Sequence, residues 1–229
     1  MLEALGLSLD DDLATYWRAR VAQHTQGEYL GVPLSKFPED LSIYERLLFD
    51  GQVDTVIELG AQHGGSALWF RDRLRTLAAY GRIRRPLVIS VDIEVELAVQ
   101  GALRVDPSLE GIVFLDGDVL DPELPALVRS KLPEGARCLV IEDTAHVYDT
   151  TMAALRGFAP FVGPGGHLVI EDGVIDIERL RPYDDWPRGV LPALETWLAS
   201  SEGAGFRRRS ELEAYGVTCH PGGFLQRIP

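Results

Sequence analysis

Two apolar runs that end in acids are the chemically richest part of this chain. They are Leu139–Val140–Ile141–Glu142–Asp143–Thr144–Ala145–His146 and Val169–Ile170–Glu171–Asp172–Gly173. Each run has the composition of a buried strand, and a carboxylate buried at a strand end is costly unless a metal, a cation or several donors meet it. If the two strands are neighbours, Asp143, Glu171 and Asp172 gather at one edge with His146 a few residues beyond. Three hard oxygen donors suit Mg2+ or Ca2+ better than zinc. A histidine beside such an ion is a natural general base. Acids also cap helices, so either half alone is equally consistent with a plain loop. The two halves together point to a site.

Strands and helices must alternate to hold such an edge. From about residue 53, short apolar runs recur at Thr55–Leu59, Leu87–Val91, Ile112–Leu115, Cys138–Ile141 and His167–Ile170, separated by stretches of helical period. Ala67, Phe70, Leu74, Leu77 and Ala78 fall on one helical face, as do Met152, Leu155 and Phe158. Near-continuous Val/Ile/Leu strands predict a parallel sheet covered on both sides. Gly163–Pro164–Gly165–Gly166 is a turn that launches the fifth strand. Beyond a helix from about Val190, Phe206–Arg209 and Val217–His220 are expected to form an antiparallel terminal pair, making seven strands. Before residue 53, one helix is expected through Leu13, Tyr16, Trp17 and Val21. A second runs from Pro38 through Leu41, Tyr44 and Leu48, after an irregular segment from Gly31 to Pro38. The expectation is an α/β, doubly wound, Rossmann-like single domain over 1–229, with a helical N-terminal lid at 1–52 and a core at 53–229.

Ligands of open α/β sheets sit beyond the carboxyl ends of the strands, near the switch point. The first strand ends in Glu58–Leu59–Gly60–Ala61–Gln62–His63–Gly64–Gly65–Ser66, a turn whose glycines allow close backbone approach and whose helix start offers free N–H groups. The second ends in Asp92–Ile93, where an acid can accept ribose hydroxyls. The third ends in Asp116–Gly117–Asp118, where Asp118 can meet an adenine amino group. Any one of these is an ordinary βα turn or helix cap; three in succession form a nucleoside-binding pattern.

In order, E-x-G-x-x-x-G-G-S, V-D-I, G-D, E-D-x-A-H and I-E-D-G resemble the S-adenosylmethionine-dependent O-methyltransferases. Within these, the chain is similar to the cephalosporin hydroxylase-like family, which includes cephamycin-pathway, macrolide-sugar and rhamnosyl O-methyltransferases. The segment Lys36–Phe37–Pro38–Glu39–Asp40–Leu41–Ser42–Ile43–Tyr44 is similar to that family's K-x-P-x-D-L-x-x-Y. The resemblance covers roughly residues 30–175. It implies the sheet of a class I methyltransferase, S-adenosylmethionine and Mg2+ or another divalent cation as cofactors, and transfer of a methyl group to a hydroxyl of a small natural product. The acceptor would be a deoxysugar, or a polyketide or phenolic alcohol. Glu58, Gly60, Ala61, Gly65 and Ser66 would line the methionine end of the cofactor, and Asp143 would be both a cofactor-binding and a catalytic residue. Asp92 with Ile93 would hold the ribose and Asp118 the adenine. Asp143, Glu171 and Asp172 would bind the metal, His146 would act as base, and Lys36 would lie near cofactor or substrate. Homo-oligomerisation is an expectation of the family only. Hydroxylation is not expected, because no 2-His-1-carboxylate iron pattern is present.

The bulk of the chain sets bounds on this reading. Its 229 residues carry 35 acidic against 22 basic side chains, and a net charge of −13 argues against binding a phosphate backbone. The basic runs at 82–85 and 207–209 are read as solvated faces or partners for acids. No apolar run reaches the roughly 20 residues of a membrane span. The N-terminus carries an acidic cluster where a secretory signal has bases, so a cytoplasmic location is expected. Cys138 and Cys219 do not suggest a disulfide framework. Two rival functions remain open. An NAD-type oxidoreductase lacks its G-x-G-x-x-G here, and Gly60 and Asp92 stand further apart than its usual roughly 20 residues. A non-catalytic S-adenosylmethionine-binding module would not need His146 beside three acids.

Overall fold

A computed structural model describes residues 12–229 except 182, 214, 215 and 217. Helix α1 (Leu13–His24) starts at Asp12, whose side chain accepts a hydrogen bond from the Thr15 amide. A short hairpin, β1 (Glu28–Tyr29) with β2 (Val32–Pro33), leads to α2 (Pro38–Asp50), where Pro38 in the first turn sacrifices no needed donor. Then follow β3 (Thr55–Leu59), α3 (Gly65–Ala79), β4 (Leu87–Asp92), α4 (Val95–Val105), β5 (Ile112–Asp116), α5 (Leu124–Arg129), β6 (Cys138–Glu142), α6 (Tyr148–Phe158), β7 (His167–Ile170), α7 (Val190–Leu198), β8 (Phe206–Arg208) and β9 (Phe224–Arg227).

The seven-stranded sheet runs β5-β4-β3-β6-β7-β9-β8. Five strands are parallel; β9 joins β7 antiparallel, and β8 joins β9 the same way. The doubly wound sheet with an antiparallel C-terminal edge is therefore as expected. The last strand is not where the sequence placed it. Residues 218–220 make no strand, Val217 lies outside the described residues, and the pairing segment is Phe224–Arg227. Thr218–His220 is instead a buried crossing whose Cys219 amide donates to Asp40 and whose Cys219 carbonyl accepts from the Val174 amide. Burial without a ladder partner gave those residues the look of a strand.

Period-two alternation divides each strand between two cores. Ile57, Leu59, Ile89, Val91, Val140 and Leu168 face α5, α6 and α7 through Val128, Leu155, Phe158 and Trp197. Val56, Val88, Leu139, Ile141 and Val169 face α2 and α3 through Leu47, Leu48, Leu68 and Phe70. The carboxyl ends of β3 to β7 all open on one edge, with the chain reversing direction across the sheet between β3 and β6. Cys138 and Cys219 are buried free thiols, and among the described residues no helix is long and apolar enough to cross a membrane.

Candidate active site at the carboxyl edge of the sheet

A cavity of about 770 Å³ opens at that edge. One end is lined by residues that follow three neighbouring strands: Gly60 after β3, Asp92 and Ile93 at the end of β4, and Gly117 and Asp118 after β5. Gly60 has a reason to be glycine: its φ is +102°, and a Cβ there would stand 1.9 Å from the Asp143 carbonyl oxygen. Asp92 Oδ2 accepts the Ala61 and Gln62 amides, both at 2.9 Å, and Oδ1 accepts Glu94 N–H at 3.0 Å. Asp92 therefore fixes the glycine turn while bordering the cavity. Asp118 Oδ1 accepts Leu120 N–H at 2.9 Å.

Asp143, His146 and Asp172 meet at the other end of the cavity. The register that pairs Leu59 with Glu142 and Glu142 with Ile170 puts Asp143 and Glu171 side by side, one residue past the strands. Asp172 follows in the left-handed region (φ +55°), which turns its carboxylate into the cavity. His146 is also left-handed (φ +57°), and its Nε2 stands 3.8 Å from Asp143 Oδ1 and 3.6 Å from Asp172 Oδ2. Those separations exceed hydrogen-bond length, leaving the three groups converging on a gap. Burial disfavours the charged imidazole, but the carboxylates of Asp172, Asp143, Glu142 and Glu171 outweigh it and raise the His146 pKa. Burial and the neighbouring Glu171 raise that of Asp143 against the pull of Lys36.

Behind this gap lies a second, fully enclosed cluster. Lys36 Nζ donates to both oxygens of Glu171 at 2.7 Å and to Asp143 Oδ2 at 2.9 Å. Tyr44 donates to Glu171. Asp40 accepts from the Thr218 hydroxyl and the Cys219 amide. His220 Nδ1 accepts the Asp172 amide at 3.1 Å, while its Nε2 lies 3.5 Å from Asp40 and 3.8 Å from Glu171. Glu58 is buried against Ser90, which donates to Oε2 at 2.5 Å, and Oε1 finds no partner among the described residues. Burial pushes the Glu58 carboxyl up to about 7.

The rhamnosyl O-methyltransferase/CmcI family model matches residues 21–228. The chain belongs to this family. It is 27% identical over 207 residues to the rhamnosyl O-methyltransferase of Mycobacterium tuberculosis, covering 89% of this chain and 79% of that protein. It is 29% identical over 161 residues to the 8-demethyl-8-(2,3-dimethoxy-alpha-L-rhamnosyl)-tetracenomycin-C 4'-O-methyltransferase of Streptomyces olivaceus, 61% of this chain and 60% of that one. CmcI in its Mg-SAM form shares the fold at a TM-score of 0.64 and 20% identity, covering 90% of this chain and 78% of CmcI. So does the MycE methyltransferase of the mycinamycin pathway in complex with Mg and SAH, with a TM-score of 0.50 and 20% identity over 81% of this chain and 48% of MycE.

Of the residues the family resemblance singled out, Gly60, Asp92, Ile93, Asp118, Asp143, His146 and Asp172 line the cavity. Glu58, Ala61, Ser66 and Glu171 are buried behind its wall. Gly65 abuts the hairpin instead, since a Cβ on it would stand 2.1 Å from the Pro33 carbonyl oxygen. The three acids of the expected metal set are neighbours with different partners: Asp143 and Asp172 converge with His146, Glu171 and Asp172 converge with His220, and Lys36 binds both Glu171 and Asp143. Register sets Asp143 beside Glu171, so that Lys36 reaches both, while the left-handed turn at Asp172 departs from the alternation of β7 and aims its carboxylate into the cavity. Sequence reasoning did not single out Asp40, Tyr44 or His220. The available signal for the first two was the K-x-P-x-D-L-x-x-Y segment, in which Asp40 and Tyr44, four residues apart on α2, share one helical face. His220 had none, standing in a segment read as strand.

Proposed function

We propose that the chain transfers the methyl group of S-adenosylmethionine to a hydroxyl of a small-molecule acceptor, a deoxysugar of rhamnosyl type, with a divalent cation and with His146 as base. One observation carries the reading: a single cavity is lined both by the strand-end residues Gly60, Asp92 and Asp118 and by a converging carboxylate–imidazole cluster of Asp143, His146 and Asp172. The rhamnosyl acceptors named for its relatives supply the substrate class.

The cluster fits a hard dication. One ligand atom from each of the three residues lies within 4.8 Å of the others, two of them are oxygens, and the set contains one imidazole rather than the two of an iron facial triad. Asp143 and Asp172 would hold the ion. A divalent ion held there would lower the pKa of an acceptor hydroxyl, and the cofactor would supply a methyl group on a positively charged sulfur.

The remaining work belongs to the protein. Asp92 and the free side of Asp118 orient the nucleoside, and the bare backbone at Gly60 lets the cofactor lie close to Asp143. His146 takes the acceptor proton at Nε2, the ring atom that faces the cluster. Asp143 and Asp172 stabilise the imidazolium so formed. At the acceptor end, α1 and the 174–189 segment form the lid: His24 and Trp186 both line the cavity and meet edge to face at 6.2 Å. Buried Arg181 shapes that lid by donating to the carbonyls of Ile175, Asp184 and Trp186.

Titration calorimetry tests the cofactor assignment. S-adenosylhomocysteine is expected to bind, and NAD is expected to give no heat. Tight NAD binding with none for S-adenosylhomocysteine overturns the assignment.

A further inference from the structure

We propose that Lys36 is a built-in counter-cation of the acidic site, competing with the divalent ion for the charge of Asp143, the carboxylate both would touch, and so keeping that ion weakly held. The inference rests on reading Asp143 and Asp172 as a divalent-ion site.

The geometry is that of a carboxylate pair already owned by a cation. Lys36 Nζ lies 2.7 Å from both Glu171 oxygens and 2.9 Å from Asp143 Oδ2, with its side chain 2% exposed and that of Glu171 1% exposed. Asp143 is shared: Oδ2 is bound to Lys36, while Oδ1 faces His146 and the gap. A carboxylate that divides its charge between two cations holds each less firmly, and the cations repel one another across it.

Lys36 cannot simply swing away. Its amide donates to the Leu34 carbonyl, and α2 begins two residues later. That helix is anchored at four-residue intervals on the same side, by Asp40 to Thr218 and Cys219 and by Tyr44 to Glu171. The ammonium is thus delivered by the fold. It also offsets the charge of the adjacent carboxylates of Asp143 and Glu171, since an unpaired buried charge weakens a fold.

The test is Mn2+ binding, followed by the electron paramagnetic resonance of the free ion, in wild type, Lys36→Met, Lys36→Gln and Lys36→Arg. Gln retains a donor to Glu171 and so covers the case in which the Met variant does not fold. Loss of the charge is expected to lower the Mn2+ dissociation constant by about tenfold or more, while Arg stays within about threefold of wild type. Melting without metal should fall in the neutral variants, and Mn2+ should raise it more than in wild type. Unchanged or weaker Mn2+ binding in the neutral variants overturns the proposal and makes Lys36 a positioning residue for Glu171. A wild type that binds no Mn2+ removes the divalent-site reading, and this proposal with it.

Discussion

His146 and Asp172 each hold a left-handed backbone conformation, and the two strained turns bring Nε2 and Oδ2 to 3.6 Å. Neither residue is glycine, and such conformations cost roughly 1–3 kcal/mol apiece. Without the Asp172 turn, the carboxylate would continue the alternation of β7. Strain at both partners of one contact marks the place where the fold gives up stability to aim two side chains.

Removing the imidazole should separate chemistry from binding. In His146→Ala, turnover is expected to fall by about 10²–10⁴, with S-adenosylhomocysteine affinity within a few-fold of wild type. Steady-state kinetics paired with calorimetry checks this. Turnover close to wild type would leave His146 without a role as base.

How far the sequence was legible follows from where side chains point. The continuous apolar strands from Thr55 to Ile170 could be read directly, because parallel strands buried on both faces need no polar alternation. Asp143, His146 and Asp172 were legible as strand-end polar residues. The placement of Glu171 was not, because its partners Lys36 and Tyr44 come from the approach to α2 and from α2 itself, more than a hundred residues earlier in the chain. The final strand was misplaced because Cys219 and His220 are buried by a crossing, whereas Phe224–Arg227, half of it polar, is the segment that pairs.

Gly60→Ala should damage the site from the backbone outward. The new Cβ meets the Asp143 carbonyl at 1.9 Å in a conformation L-residues avoid, so either β3 or β6 must shift at its end. A stability loss of about 2 kcal/mol or more is expected by chemical denaturation, together with weaker S-adenosylhomocysteine binding. A variant with wild-type stability and affinity would contradict the close approach.

Asp92→Ala should weaken S-adenosylhomocysteine on the order of 1.5–3 kcal/mol, the scale of hydrogen bonds to a charged group. Because Asp92 also holds the Ala61 and Gln62 amides, the variant should exchange those amide hydrogens faster. Hydrogen exchange that is unchanged at Ala61 and Gln62 would deny Asp92 its part in shaping the turn.

His167 gives the fold a measurable acid sensitivity. Burial and the nearby Arg209 push its imidazole down to about 4, against about 6.5 in an unfolded chain. Between those values the unfolded chain binds more protons, so this contribution is intact above about pH 6.5 and is lost as pH falls toward 4. His167→Gln is expected to flatten the decline of melting temperature across that window. An identical decline in both proteins would show that other groups carry it.

Asp143, Asp172 and His146, with a divalent ion, are expected to bring about methylation of a sugar hydroxyl. Transfer of a labelled methyl group from S-adenosylmethionine to rhamnosyl acceptors, with and without Mg2+ after EDTA treatment, measures it directly. The expected result is an O-methyl ether on the sugar, absent after EDTA, restored by Mg2+, and lost in the Asp143→Asn/Asp172→Asn double variant. Full transfer by the EDTA-treated enzyme and by that double variant would contradict it.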